Sequence, residues 1–148
     1  MAIQDEAALI LQLYDLRRED TMRMARDWFA RDFNPESMAD IESALSSEHS
    51  GHLRMVVSYW DMAAALVQNG AISMQLFNDT NGEQFMVFGK IEPFLQDIRN
   101  AFGPYFLTNL EKLIDATPGG RERAATMRER MKTMRTRMAA AQGKTSGA

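Results

Sequence analysis

Cysteine is absent from all 148 residues. That excludes a disulfide framework, thiolate chemistry and cysteine-held zinc, and it fits a reducing, cytoplasmic setting. Long apolar runs are missing too. The run from Met62 to Val67 is six residues, far short of the ~20 a membrane-spanning helix needs. The opening stretch MAIQDEAALI has no basic residues ahead of its apolar ones, so it does not read as a signal peptide. Strand-like alternation is also lacking; Phe85-Met86-Val87-Phe88 is apolar but sits in a helical register. Residues 121–148 hold no aromatic side chain, which removes stacking platforms for nucleic-acid bases and apolar anchors for a membrane surface.

What is present suits a globular domain. Hydrophobic residues make up 45% and charged residues 25%, enough to bury one core. The net charge of −3 hides a split. Residues 1–120 carry 9 Lys+Arg against 18 Asp+Glu, net −9, and residues 121–148 carry 8 against 2, net +6. An acidic body is joined to a basic tail.

Glycine and proline punctuate text of helical period. A first helix is predicted over 4–33, continuous through the polar Arg17-Arg18-Glu19-Asp20. Asn34-Pro35 reads as N-cap and first helical position of a short helix to about Leu45. SSEHSG is a joint. A helix from about Glu48 to Gln68 ends at Asn69-Gly70, a left-handed cap, with Ile72 placed to pack back. Ser73 opens another stretch. Thr80-x-x-Glu83 has capping-box form and starts a helix to about Ala101, kinked or broken at Pro93. Gly103-Pro104 and Thr117-Pro118 restart the chain twice more. The fold class is all-α, a single-domain bundle of five or six helices with a long basic C-terminal helix. The chain divides into an acidic body, 1–117, a basic Met/Arg helix, 118–141, packed on the body or a partner, and a fraying tail, 142–148.

Candidate sites are few. His49 and His52 are the only histidines, and with Glu48 they are the candidate metal ligands. A metal needs three or four convergent groups, and the Glu-x-x-His pairs of di-iron bundles are absent. FNDTNGEQFMVF places Asp79, Asn81 and Gly82 at calcium-loop positions 3, 5 and 6. It also places Phe77 and Phe88 at positions 1 and 12, where carboxylates are required, so calcium is excluded. Serines near the histidines lack a nucleophile-elbow context. Gly119-Gly120 has no phosphate-loop spacing. No catalytic residue and no cofactor is assigned. Tyr59, Trp60 and the run Ala63-Ala64-Ala65 read as core, with Asp61 either a buried polar partner or facing water.

Three stretches carry a family resemblance. LYDLRREDTMRMARDWF, LVQNGAISMQLF and KIEPFLQDIR resemble small uncharacterised bacterial helical proteins, over about residues 9–102. The resemblance implies a helical fold and a bacterial source. It supplies no catalytic residues, and the basic tail lies outside it.

The tail repays a closer reading. With Ala124 at heptad position a, Met127 and Met134 fall at d, and Met131 and Met138 at a. Arg121, Arg128 and Arg135 are then all e, Arg123, Arg130 and Arg137 are all g, and the acids Glu122 and Glu129 are both f. Every arginine flanks the methionine seam. Parallel or antiparallel self-pairing would set arginine against arginine, and methionine seams specify poorly. A tail-to-tail homodimeric zipper is therefore excluded, whereas a homodimer through another face is not. The expected receiver is acidic protein surface: this body or a swapped protomer's, with Glu83, Glu92, Asp97, Glu111 and Asp115 as acceptors, or another protein's groove. The sequence thus points to a non-enzymatic interaction module. The rival reading is a small-molecule- or metal-binding bundle, an enzyme in that case, using His49, His52 and nearby carboxylates.

Overall fold

The computed structural model describes residues 2–146, and all regular structure among them is helical. The order is α1 (Ile3–Arg18), α2 (Asp20–Arg31), α3 (Met38–Leu45), α4 (Ser50–Gln68), α5 (Met74–Thr80), α6 (Glu83–Ile91), a 3-10 turn (Glu92–Phe94), α7 (Leu95–Phe102), α8 (Thr108–Ala116) and α9 (Gly120–Ser146). The all-α expectation holds, but five or six helices was too few.

The extra elements come from caps. The helix expected over 4–33 breaks at Glu19, whose backbone is extended (φ −59°, ψ 141°). Its carboxylate accepts the Met22 N–H at 3.1 Å and so caps α2. The amides of Thr21 and Met22 hold that carboxyl below its ordinary pKa. Asn34-Pro35 does not open α3. Ser37 does, accepting the Asp40 N–H at 3.3 Å, while Asn34 donates back to the Arg31 carbonyl at 2.9 Å and closes α2. Thr80 bonds back to the Leu76 and Phe77 carbonyls at 2.8 and 3.2 Å, so no capping box forms.

Local signals elsewhere behave as read. Gly70 (φ +82°) ends α4 in a Schellman motif, with Ala71 N–H to Leu66 O at 2.9 Å and Gly70 N–H to Val67 O at 3.1 Å. Ile72 behind it is fully buried. Ser73 caps α5, accepting the Leu76 N–H. Pro93 breaks the long helix expected beyond residue 80 into α6 and α7. The basic helix runs from Gly120 to Ser146, past the boundary at 141 read from the sequence; residues 147 and 148 lie outside the described residues.

Every residue of α6 from Gln84 to Ile91 is buried. A helix apolar on all sides must be enclosed, and α4, α8 and α9 pack around it. Trp60, on α4, is 1% exposed at the centre. Its indole N–H donates to Glu83 at 3.0 Å, and Arg26 grips the same carboxylate through two nitrogens at 2.9 and 3.0 Å. Asp61 does not face water. Its two oxygens accept the Leu110 N–H at 2.9 Å and the Asn109 amide at 3.2 Å, which caps α8 from another helix. Tyr59 donates to the Leu13 carbonyl at 2.7 Å, and burial pushes its phenol up to about 12.

Lys90 is the one buried cation of the core among the described residues. Its ammonium donates to the carbonyls of Phe29, Ala30 and Phe33 and to Asn34 Oδ1, at 2.7, 3.0, 2.8 and 3.1 Å. Phe29 and Ala30 supply carbonyls of the last turn of α2, and Phe33 and Asn34 lie just beyond it, where a positive charge also meets the negative end of the helix dipole. Burial, helped by nearby Arg135 and opposed by Asp32, pushes the ammonium down to about 8. It remains mostly protonated at neutral pH.

Lys90→Met leaves those carbonyls without a donor, so urea denaturation at pH 7 is expected to show a loss of about 1–3 kcal/mol. The pH profile carries a second signature. Between about 8 and 10.5 the folded chain binds fewer protons at Lys90 than the unfolded chain does, so stability rises with pH there. Above 10 the folded Tyr59 retains a proton that the unfolded chain releases, so stability then falls. Lys90→Met should abolish the rise and Tyr59→Phe the fall; a flat profile in the unsubstituted protein contradicts both assignments.

Candidate interaction surface on the C-terminal helix

Two close backbone approaches set α9 against the body. Gly119 turns with φ +67°. A Cβ at Gly120 would stand 2.0 Å from the Ile114 carbonyl oxygen, so only glycine fits this corner between α8 and α9. One helical stretch on, a Cβ at Gly89 would stand 2.4 Å from the Ala124 carbonyl oxygen. The backbones of α6 and α9 touch there, and Ala124 is fully buried.

Charge then fixes the register. Arg121 reaches Asp115 at 2.6 Å, Glu111 at 2.8 Å and Glu92 at 2.9 Å. Its hydrogen bonds to Asp115, then to Glu92 and Glu111, raise its pKa against the opposing effect of burial. The same contact holds the Asp115 carboxyl below its ordinary value. The Arg121 guanidinium also lies 5.0 Å from the centre of the Phe88 ring, and that of Arg123 lies 4.0 Å from Phe85. Arg128 donates to the Gly89 carbonyl at 2.7 Å and to Glu92 at 3.3 Å. Of the five acceptors expected, Glu92, Glu111 and Asp115 receive the helix. Glu83 turns inward to Arg26 and Trp60. Asp97 takes no ion pair from α9 among the described residues.

The methionine seam divides at about Met131. Ala124 is buried, and Met127 and Met131 pack at the edge of the core. Met134 and Met138 are 54% and 58% exposed. Arg130 and Arg137 are exposed as well. From 130 to 146 the sequence has five basic residues, Arg130, Lys132, Arg135, Arg137 and Lys144, and no acid. The 27 residues of α9 extend about 40 Å at 1.5 Å per residue. Its first half is a fastener, and its second half turns Arg130, Met134, Arg137 and Met138 to solvent.

A family model described as a domain of unknown function, DUF4760, matches residues 2–117. The chain belongs to the DUF4760 family. The match takes in the whole of α1–α8 and stops within the connection to α9, and it reaches beyond the 9–102 stretch that carried the resemblance in the sequence. No match emerges among curated proteins or among solved structures. No helix among the described residues is long and apolar enough to cross a membrane.

Within the DUF4760 body the histidines are placed by an aromatic surface. His49 stacks on Trp28 at 5.2 Å between ring centres, with 24° between planes, and His52 lies 5.6 Å from His49. Glu48 is 3.5 Å from His49 Nε2. No group of three or more His, Cys, Asp or Glu side chains gathers around a common point among the described residues. Two polar groups of consequence escaped the sequence reading. Asp61 was seen, but its work as a remote cap was not. Lys90 was missed outright, although a lone lysine in the apolar text FMVFGKI is itself a sign of a buried, fully coordinated ammonium.

Gly89→Ala forces α6 and α9 apart at their closest point. Chemical denaturation should show a loss of about 1–3 kcal/mol, as for other overpacked sites. Gly51→Ala, where the added methyl meets nothing within 4 Å, should be neutral or stabilising by up to about 1 kcal/mol. Equal effects of the two changes would show that the Gly89–Ala124 contact does not hold α9.

Proposed function

We propose that this DUF4760-family chain is a non-enzymatic protein-interaction module, of bacterial source and cytoplasmic, whose C-terminal helix binds acidic protein surface. One observation carries the reading: the same Met/Arg register is matched by carboxylates in the first half of α9 and turns Arg130, Met134, Arg137 and Met138 to solvent in the second. Arg121 and Arg128 have Glu92, Glu111 and Asp115. Arg130 and Arg137, with Met134 and Met138 beside them, stand exposed. The cis contact is a template for the contact in trans. A partner needs carboxylates spaced to meet arginines and a shallow apolar strip for two adaptable thioethers. A swapped protomer's acidic body or a different acidic protein answers that description. Another copy of the same helix does not, because its guanidinium groups would face these.

A photoreactive amino acid placed at Met134 or at Met138 tests this in the producing cells. The expected product is a covalent adduct with an acidic protein, or with the 1–117 region of a second copy, that weakens as salt rises and disappears in Arg130→Glu/Arg137→Glu. Adducts joining residue 134 or 138 to α9 of a second copy, or adducts indifferent to the charge reversal, would overturn the reading.

A further inference from the structure

A cavity of about 480 Å³ opens between the α2–α3 connection, the turn after α6 and the outer face of α9. Its charged lining is one-sided. Lys90, Arg128, Lys132 and Arg135 face it, against the single carboxylate of Glu36. Arg128, Lys132 and Arg135 are spaced four and three apart, so they share one face of α9. Pro93, Phe94 and Met131 form an apolar wall beside them.

We propose that this cleft binds a small organic phosphate, with the phosphate group on Arg135 and Lys132 and the organic part against Phe94 and Met131. Three features argue for an anion. First, two of the cations are fixed in place and cannot swing into solvent to relieve repulsion. Lys90 is held by four oxygens, and Arg128 by the Gly89 carbonyl and Glu92. Second, Arg135 lies close enough to Lys90 to oppose its charge, and no carboxylate among the described residues pairs with Arg135. Third, the Nε of Arg135 is buried and finds no hydrogen-bond partner among the described residues. A buried guanidinium nitrogen without an acceptor is unfavourable. Arg121, on the same helix, has three carboxylates, so α9 satisfies its arginines wherever the body offers acids.

Charge favours phosphate over a lone carboxylate. A planar guanidinium grips two oxygens of either group at once, but phosphate carries further negative charge for an adjacent ammonium to neutralise. The cavity has the volume of ordinary small-ligand sites, and its mixture of apolar wall and a few charged groups is their usual composition. Lys90 supplies field rather than a hydrogen bond, because its donors are already taken.

Isothermal titration at constant ionic strength tests the assignment with inorganic phosphate, pyrophosphate, phenyl phosphate and, as a neutral control, phenol. The expected order places phenyl phosphate above inorganic phosphate, with phenol silent. Arg135→Gln and Lys132→Gln should each weaken phenyl phosphate by about tenfold or more. Arg135 makes no ion pair among the described residues, so its loss should leave the melting temperature nearly unchanged. Arg137→Gln, which removes the same charge from the opposite side of α9, should leave binding unchanged. Absence of saturable binding by all three phosphates overturns the proposal. So does an equal loss in Arg137→Gln, which would mark a diffuse attraction to the whole helix.

Discussion

Enclosing α6 is the constraint from which the rest of the architecture follows. Eight consecutive buried residues, Gln84 to Ile91, give this helix no solvent face. Covering it takes more than one layer, so α4 and α8 lie on it from within the body and α9 from outside. The last contact is possible because residue 89 has no side chain. The Ala124 carbonyl occupies the space a Cβ would need. α9 is thus part of the core, through Ala124, although it lies beyond the residues matched by the DUF4760 model. Its stability comes from tertiary burial more than from helix propensity, as is usual in proteins.

Such tight enclosure limits the access of water to polar groups near α6, and distant side chains take over. Lys90 closes the end of α2, Asp61 opens α8, and Glu83 joins Arg26 of α2 to Trp60 of α4. Gln84 donates to the Asn81 carbonyl and to Asn78. Each of these bonds links two or more elements. Each is also short-ranged and directional, so it fixes the relative rotation of helices that apolar packing alone would leave free to slide. The core is therefore specified by a few buried polar groups set in a large apolar mass.

That division explains what the sequence disclosed. Signals whose mechanism is local were legible: the glycine cap at Asn69-Gly70, the serine cap at Ser73, the proline break at Pro93. Signals decided by distant partners were not. Glu19 looks like one more surface acid, yet it ends one helix and starts the next, and Asn34 looks like a start although it closes α2 together with Lys90. The helix count came out low for that reason. The basic helix was visible because its heptad spacing is strict. Its outcome was only half visible. Charge complementarity pointed to Glu92, Glu111 and Asp115, but the division of the seam depends on where Gly89 admits the backbone, which periodicity cannot reveal. The histidines illustrate the converse: adjacency in sequence brought the two rings together, and Trp28, remote in sequence, is what His49 lies on.

The cations in the outer half of α9 need an explanation of their own. The helix dipole favours positive charge near a C-terminus, but that effect fades within the last turn. Arg130, Lys132, Arg135 and Arg137 lie more than two turns before Ser146, too far for the dipole to account for them. Intrahelical pairing does not account for them either. Lys132 meets Glu129 at 3.5 Å, and no acid follows Glu129 in the sequence. Solubility is served poorly by a basic rod on a body of net charge −9, since it lowers the overall charge toward zero. The function proposed above accounts for them by attraction to negative groups brought from outside. The first half of α9 shows in cis that this register accepts carboxylates, and Arg135 beside Lys90 concentrates the unmet demand at one cleft. On the function proposed above, a cationic helix anchored through Arg121 and Arg128 offers its exposed cations to an anion or an acidic surface without disturbing the core that carries it.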